Sequence, residues 1–151
     1  MNAEASSCNA CGHGHLNAFA TNFGRNVAVG LTSFFVVLVV VRIAHSPSML
    51  FAYPKDVWST VVAAAGLTAF QGLFVVPMSL IYTDLTHRSK SRRGAWVWWP
   101  LLVTAFAGPF LLLGWLVGAD PEMTPGHVVA FVVPAVAVAA TTRIDGVRAG
   151  G

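Results

Sequence analysis

Two long apolar runs, residues 57–82 and 95–118, contain no charged side chain and flank the basic linker TDLTHRSKSRRG at residues 83–94. A helix rises about 1.5 Å per residue, so about 20 apolar residues cross the hydrocarbon core of a bilayer. Each run meets that length. The pattern predicts a membrane hairpin with a basic tip, and the rest of the chain must be arranged around it. Of the 151 residues, 56% are hydrophobic and only 10% are charged, against roughly 25% charged in soluble domains. A chain with so little polar surface is not expected to form a water-soluble globule.

Two further spans follow from the same reasoning. Residues 26–45 form the first, ended by Ser46-Pro47, because proline disfavours helical geometry in the residue before it. Residues 127–142 form the last, which is short and interrupted by Pro134 but uncharged. The expected fold is an all-α integral membrane protein: a four-span transmembrane helix bundle of two tandem hairpins with both termini on the same side. The divisions are a polar N-terminal tail (1–25), the transmembrane domain (26–142) and a short basic C-terminal tail (143–151). The first residues carry neither a basic segment nor an apolar core, so they do not read as a secretory signal. Phe74-Val75-Val76-Pro77 recurs as Phe131-Val132-Val133-Pro134. The repeat suggests hairpins related by an axis along the membrane normal.

Basic residues set the orientation. With the 83–94 linker inside, every Lys and Arg except Arg42 and Lys55 lies on the inner side. The positive-inside rule then places both termini in the cytoplasm and the chain in the cytoplasmic membrane as a multi-pass protein. Trp96, Trp98 and Trp99 stand at the inner interface, with Trp58 and Trp115 at the outer one. Within the second span, steps of three and four give Thr60, Ala64, Thr68, Gln71, Val75, Ser79 and Tyr82 on one helical face. In lipid, such a small and polar stripe is expected to face other helices. It puts Gln71 in the bundle interior. In the third span, Thr104, Gly108, Leu111, Gly114 and Gly118 outline another small-residue face.

Three clusters could carry chemistry. Cys8, Cys11, His13 and His15 offer the thiolates and imidazoles that zinc prefers. The alternative is a tail that serves only as a partner contact, disordered by itself. Heme attachment fits less well than zinc, because Gly12 stands where that motif needs histidine. At the basic tip, His87, Arg88, Lys90, Arg92 and Arg93 suit anionic lipid headgroups, phosphate or an acidic subunit surface, or they serve topology alone. At the outer mouth, Arg42, His45, Asp120, Glu122 and His127 fall at similar depth. Two histidines on different helices of a bundle can hold a heme iron, but these two read more simply as helix-end residues in the headgroup layer. Arg42 cannot shed its charge, so it is expected to pair with Asp120 or Glu122, and failing those with Asp56.

No Ser-His-Asp set, paired intramembrane carboxylate or phosphate loop is visible. No acid falls within an expected span, which argues against a proton relay or ion carrier. The function expected is therefore non-catalytic: a small accessory or structural subunit of a larger membrane complex. Its partners would be the bilayer, other membrane subunits and anionic headgroups, with no nucleic acid. The competing class is a small membrane enzyme or redox protein that binds heme, a quinone or an isoprenoid near the outer mouth.

Overall fold

A computed structural model describes the backbone of residues 8–47, 54–89, 93–119 and 122–148, and the side chains of 16–47, 55–89, 93–119 and 122–144. Its elements are α1 (Cys8–His45), α2 (Pro54–Arg88), the single turn α3 (Gly94–Val97), α4 (Trp99–Val117) and α5 (Pro125–Arg148). No strand occurs among the described residues. Four segments are long and apolar enough to cross a membrane: Leu16–His45, Lys55–Arg88, Gly94–Val117 and Pro125–Ile144. Large apolar side chains such as Leu73 and Leu112 point away from the bundle. That outward apolar surface suits a lipid surround.

The helices outrun the spans read from the sequence. α1 begins at Cys8, well before residue 26, and α2 runs on through Thr83 to Arg88. The basic linker is thus partly helix, since nothing in Thr83–Arg88 breaks the backbone ladder. The third span is two pieces. Pro100 has no N–H to give and crowds the preceding turn, so the chain bends at Trp98 and α4 restarts with Pro100 in its first turn. Trp98 closes α3 by donating its N–H to the Gly94 carbonyl at 3.2 Å.

α4 ends on Gly118, with φ at +69°. The Gly118 N–H reaches the Trp115 carbonyl at 3.2 Å, and the Ala119 N–H reaches that of Gly114 at 2.9 Å. This is a Schellman closure, which needs a residue tolerant of left-handed backbone. Gly118 therefore ends a helix rather than opening a packing face.

The four long helices form a ring in which α1 touches α2 and α5, and α4 touches α2 and α5. Phe34 of α1 reaches across the middle to Phe106 and Phe110 of α4, with ring centroids 5.6 and 6.3 Å apart. Phe110 in turn lies 5.4 Å from Phe131 of α5. Gly30 makes room for this. A Cβ there would stand 3.2 Å from the Phe106 Cζ and 3.4 Å from the Val138 Cγ2, so the bare backbone of α1 receives the phenyl ring.

The buried face of α2 carries Ala64, Gln71, Val75, Ser79 and Tyr82, with Thr60 and Thr68 half-buried. On α4 the buried face is Leu102, Ala105, Phe106, Ala107 and Pro109. Thr104, Leu111 and Gly118 face outward instead, and Gly108 and Gly114 lie at the margin. Phe106 turns inward with Ala105 and Ala107 beside it, because it fills the hole at Gly30. The repeated tetrapeptides also differ in their surroundings: Pro77 is exposed where Pro134 is buried, and Val75 is buried where Val132 is half-buried.

Candidate functional site

The two ends of the bundle are built differently. At one end Asn26 of α1, fully buried, donates through Nδ2 to the Thr83 Oγ1 of α2 at 3.0 Å. Its Oδ1 lies 3.2 Å from the Thr142 Oγ1 of α5. Beside it the buried Tyr82 hydroxyl donates to the Ala95 carbonyl of α3 at 3.2 Å. Thr83 also donates back to the Ser79 carbonyl at 2.7 Å, which frees its lone pairs to accept from Asn26. One amide thus joins three helices by using both its donor and its acceptor. Halfway along the bundle, the Gln71 Nε2 donates to the Phe106 carbonyl at 2.6 Å. Pro109 interrupts the α4 ladder next to this point, because it has no N–H to offer the Ala105 carbonyl. The Gln71 Oε1 and the Ser79 Oγ are buried with no partner among the described residues.

The opposite end holds three clefts lined by described residues. An open cleft of about 860 Å³ runs between the end of α1 and the start of α5, and Arg42, His45, Thr124 and His127 stand on its rim. Leu38, Val41 and Ala130 form its deeper wall. Local sequence explains the geometry. Ser46 ends α1 by donating its N–H to the Arg42 and Ile43 carbonyls, with Pro47 following. That leaves Arg42 and His45 in the last turn. Thr124 precedes α5, with Pro125 at the first helical position, where proline's missing N–H costs nothing. The Thr124 Oγ1 lies 2.8 Å from the His127 Nδ1, and the His127 ring stacks on Phe131 at 6.3 Å. These two contacts orient the His127 ring, which lines both this cleft and the one beside α4. Gly126 allows α5 to approach α1 closely, since a Cβ there would come within 2.9 Å of the Val41 Cγ1.

Two smaller clefts adjoin. One of about 360 Å³ lies between α1 and α2 and again has Leu38 and Arg42 on its wall, facing Ser59, Ala63 and Leu67. The other, about 230 Å³, lies between α4 and α5 and includes Glu122, Phe110 and His127. Arg42 and His45 are exposed. Neither Asp56 nor Glu122 comes within 4 Å of Arg42. Asp120, the third acid expected near Arg42, lies outside the described residues. The structure thus brings Arg42, His45 and His127 to one cleft and sets Glu122 in the neighbouring one.

At the basic end, Arg88 pairs with Asp84 one turn earlier, Nε to Oδ1 at 3.0 Å. An exposed pair of this kind contributes less than about 1 kcal/mol. The ring of His87 lies edge-on to Phe19, at 6.3 Å. Arg93 is exposed, while Lys90 and Arg92 lie outside the described residues. The backbone of α1 is helical at Cys8, Cys11, His13 and His15, but their side chains lie outside the described residues. Among the described residues no three of His, Cys, Asp and Glu gather as a metal site.

The sequence pattern points to Arg42, His45 and His127 but not to Leu38, Val41, Thr124 or Ala130. Leu38 and Val41 were detectable in principle, being the turn before Arg42 and His45. Asn26 was read only as the first residue of a span. An amide inside an apolar window was the available signal for its role. No protein-family model, curated protein or solved structure matches the chain.

Proposed function

We propose that this chain is a small, non-catalytic subunit of a larger membrane complex, inserted as two tandem hairpins in the cytoplasmic membrane with both termini in the cytoplasm. One observation carries the reading: the outward face of α4. Thr104 and Leu111 are exposed there, and a Cβ on Gly108 would meet nothing within 4 Å. The Thr104 hydroxyl is satisfied by its own helix through the Pro100 carbonyl at 2.9 Å. In lipid, small residues bring helix backbones together, and a face of them is where another helix packs. The ring of four helices leaves this face to a partner from outside.

Purification from native membranes in mild detergent tests the proposal. Co-purifying membrane subunits, lost when Gly108 is replaced by Phe, are expected. A monodisperse single species, unchanged by Gly108→Phe, would overturn it. Orientation has its own test, the labelling of single cysteines from outside the cell. A cysteine at Thr124 should react and one at Ser91 should not; the reverse pattern would invert the topology.

The cleft at Arg42, His45 and His127 favours a second reading, a small membrane enzyme or redox protein with a heme, quinone or isoprenoid at the mouth. The same preparation separates the two, because a bound pigment or quinone would travel with the isolated chain.

A further inference from the structure

Arg42 and Leu38 sit one turn apart on α1 and form the ridge between two grooves, one toward α5 and one toward α2. Each groove is polar at the end of the bundle and apolar further in. On the α5 side the rim is His45, Thr124 and His127, and the depth is Val41 and Ala130. On the α2 side the rim is Ser59, and the depth is Ala64 and Leu67. The guanidinium on the ridge is exposed and has no carboxylate from Asp56 or Glu122 within 4 Å. It must still find water or an anion, because it stays charged in any protein setting.

We infer that this end of the bundle binds one anionic phospholipid astride α1, its phosphodiester on Arg42 and one acyl chain in each groove. A guanidinium meets a phosphate with two parallel hydrogen bonds. His45 and His127 line the same α5-side groove as Arg42. A second protein helix would fit one groove but would leave the cation on the ridge unanswered. A two-chain lipid with an anionic head satisfies the ridge and both grooves at once. The site lies at the other end of the molecule from the basic linker, and the inference is independent of the subunit reading.

Native mass spectrometry of the full chain tests it, with phosphatidylglycerol, phosphatidylcholine, lysophosphatidylglycerol and inorganic phosphate as probes. The wild type should retain one phosphatidylglycerol in preference to phosphatidylcholine by about fivefold, the effect of one basic side chain near an anionic lipid. Arg42→Gln should erase that preference, and Arg42→Lys should keep most of it. Filling the α2-side groove with Ala63→Trp should lower phosphatidylglycerol retention to that of its lyso form. Arg42 and Ala63 are both exposed, so these variants are expected to fold, which detergent melting checks.

Three outcomes would overturn the inference. One is a preference that survives Arg42→Gln. Another is a preference lost instead when Arg88, Lys90, Arg92 and Arg93 are changed to Gln. The third is displacement of the lipid by inorganic phosphate at equal concentration, which would mark a free-anion site rather than a lipid site.

Discussion

Asn26 and Arg42 lie on the same helix, sixteen residues apart in the numbering, and meet opposite fates. Asn26 is fully buried and ties α1 to α2 and α5 through Thr83 and Thr142. Arg42 is exposed on a ridge between two open clefts. At the Asn26 end, side chains hydrogen-bond across helices. At the Arg42 end, the described cross-helix contacts are apolar, and grooves remain between the helices. The contrast shows what directional bonds add in an apolar bundle. Lipid tails compete well with leucine for apolar contact, so dispersion alone does not dictate register. An amide that must find both a donor and an acceptor partner does dictate it, because its failure leaves polar atoms buried.

That contrast can be broken most severely at Gly30. Gly30→Val would drive a side chain into Phe106 and Val138 and should cost up to about 3 kcal/mol by overpacking, read as loss of resistance to denaturing detergent. Gly126→Val at the open end faces a shorter approach, 2.9 Å to Val41. It should nevertheless cost clearly less, because Val41 lines a cleft and has room to move. Equal losses would mean that the Arg42 end is as tightly packed as the Asn26 end.

Asn26→Ala comes next. It removes two cross-helix hydrogen bonds and should cost about 2 kcal/mol, at about 1 kcal/mol per bond, while Thr83 and Thr142 keep their bonds to the Ser79 and Val138 carbonyls. A double-mutant cycle with Thr142→Val checks that the loss comes from the shared bond, since coupled neighbours are non-additive. Additive losses would assign Asn26 a role in packing alone.

Gln71→Leu should cost only about 1 kcal/mol, a usual value for an interhelical hydrogen bond in membranes. Its Nε2 bond to Phe106 is short, but its Oε1 lacks a partner among the described residues. Removing both atoms therefore loses one bond and relieves one buried acceptor. A loss as large as that of Asn26→Ala would show that Oε1 is satisfied by water.

Arg42→Gln should move stability the least, within about 0.5 kcal/mol, as for exposed sites away from packing features. Thermal melting in detergent measures it. A drop comparable to that of Asn26→Ala would place Arg42 in a structural pair and remove the open end's claim to a free cation.

The α2 face was legible in the sequence because it repeats with the period of a helix over more than five turns. Thr60, Ala64, Thr68, Gln71, Val75, Ser79 and Tyr82 share a side whatever surrounds them. The small-residue face of α4 has the same kind of spacing, yet it turns outward. Periodicity says which residues share a face, but it does not say which face a neighbour takes. Phe106 turned inward because α1 offered a hole at Gly30, and that match exists only between two helices. The break at Trp98 was also within reach, since Pro100 allows no continuous ladder there.

By itself, the sequence determined what does not depend on partners: four apolar helices, the end of the first before Pro47, and the separation of charge to the ends. Those properties follow from hydropathy and backbone chemistry, which each segment carries alone. Tertiary structure alone decided that Asn26 would join three helices, that Phe106 rather than Gly108 would face the core, and that Arg42 would stand between two grooves. Each of these depends on the shape and hydrogen-bonding needs of a surface more than a dozen residues away. A one-dimensional pattern holds no record of which surfaces will meet.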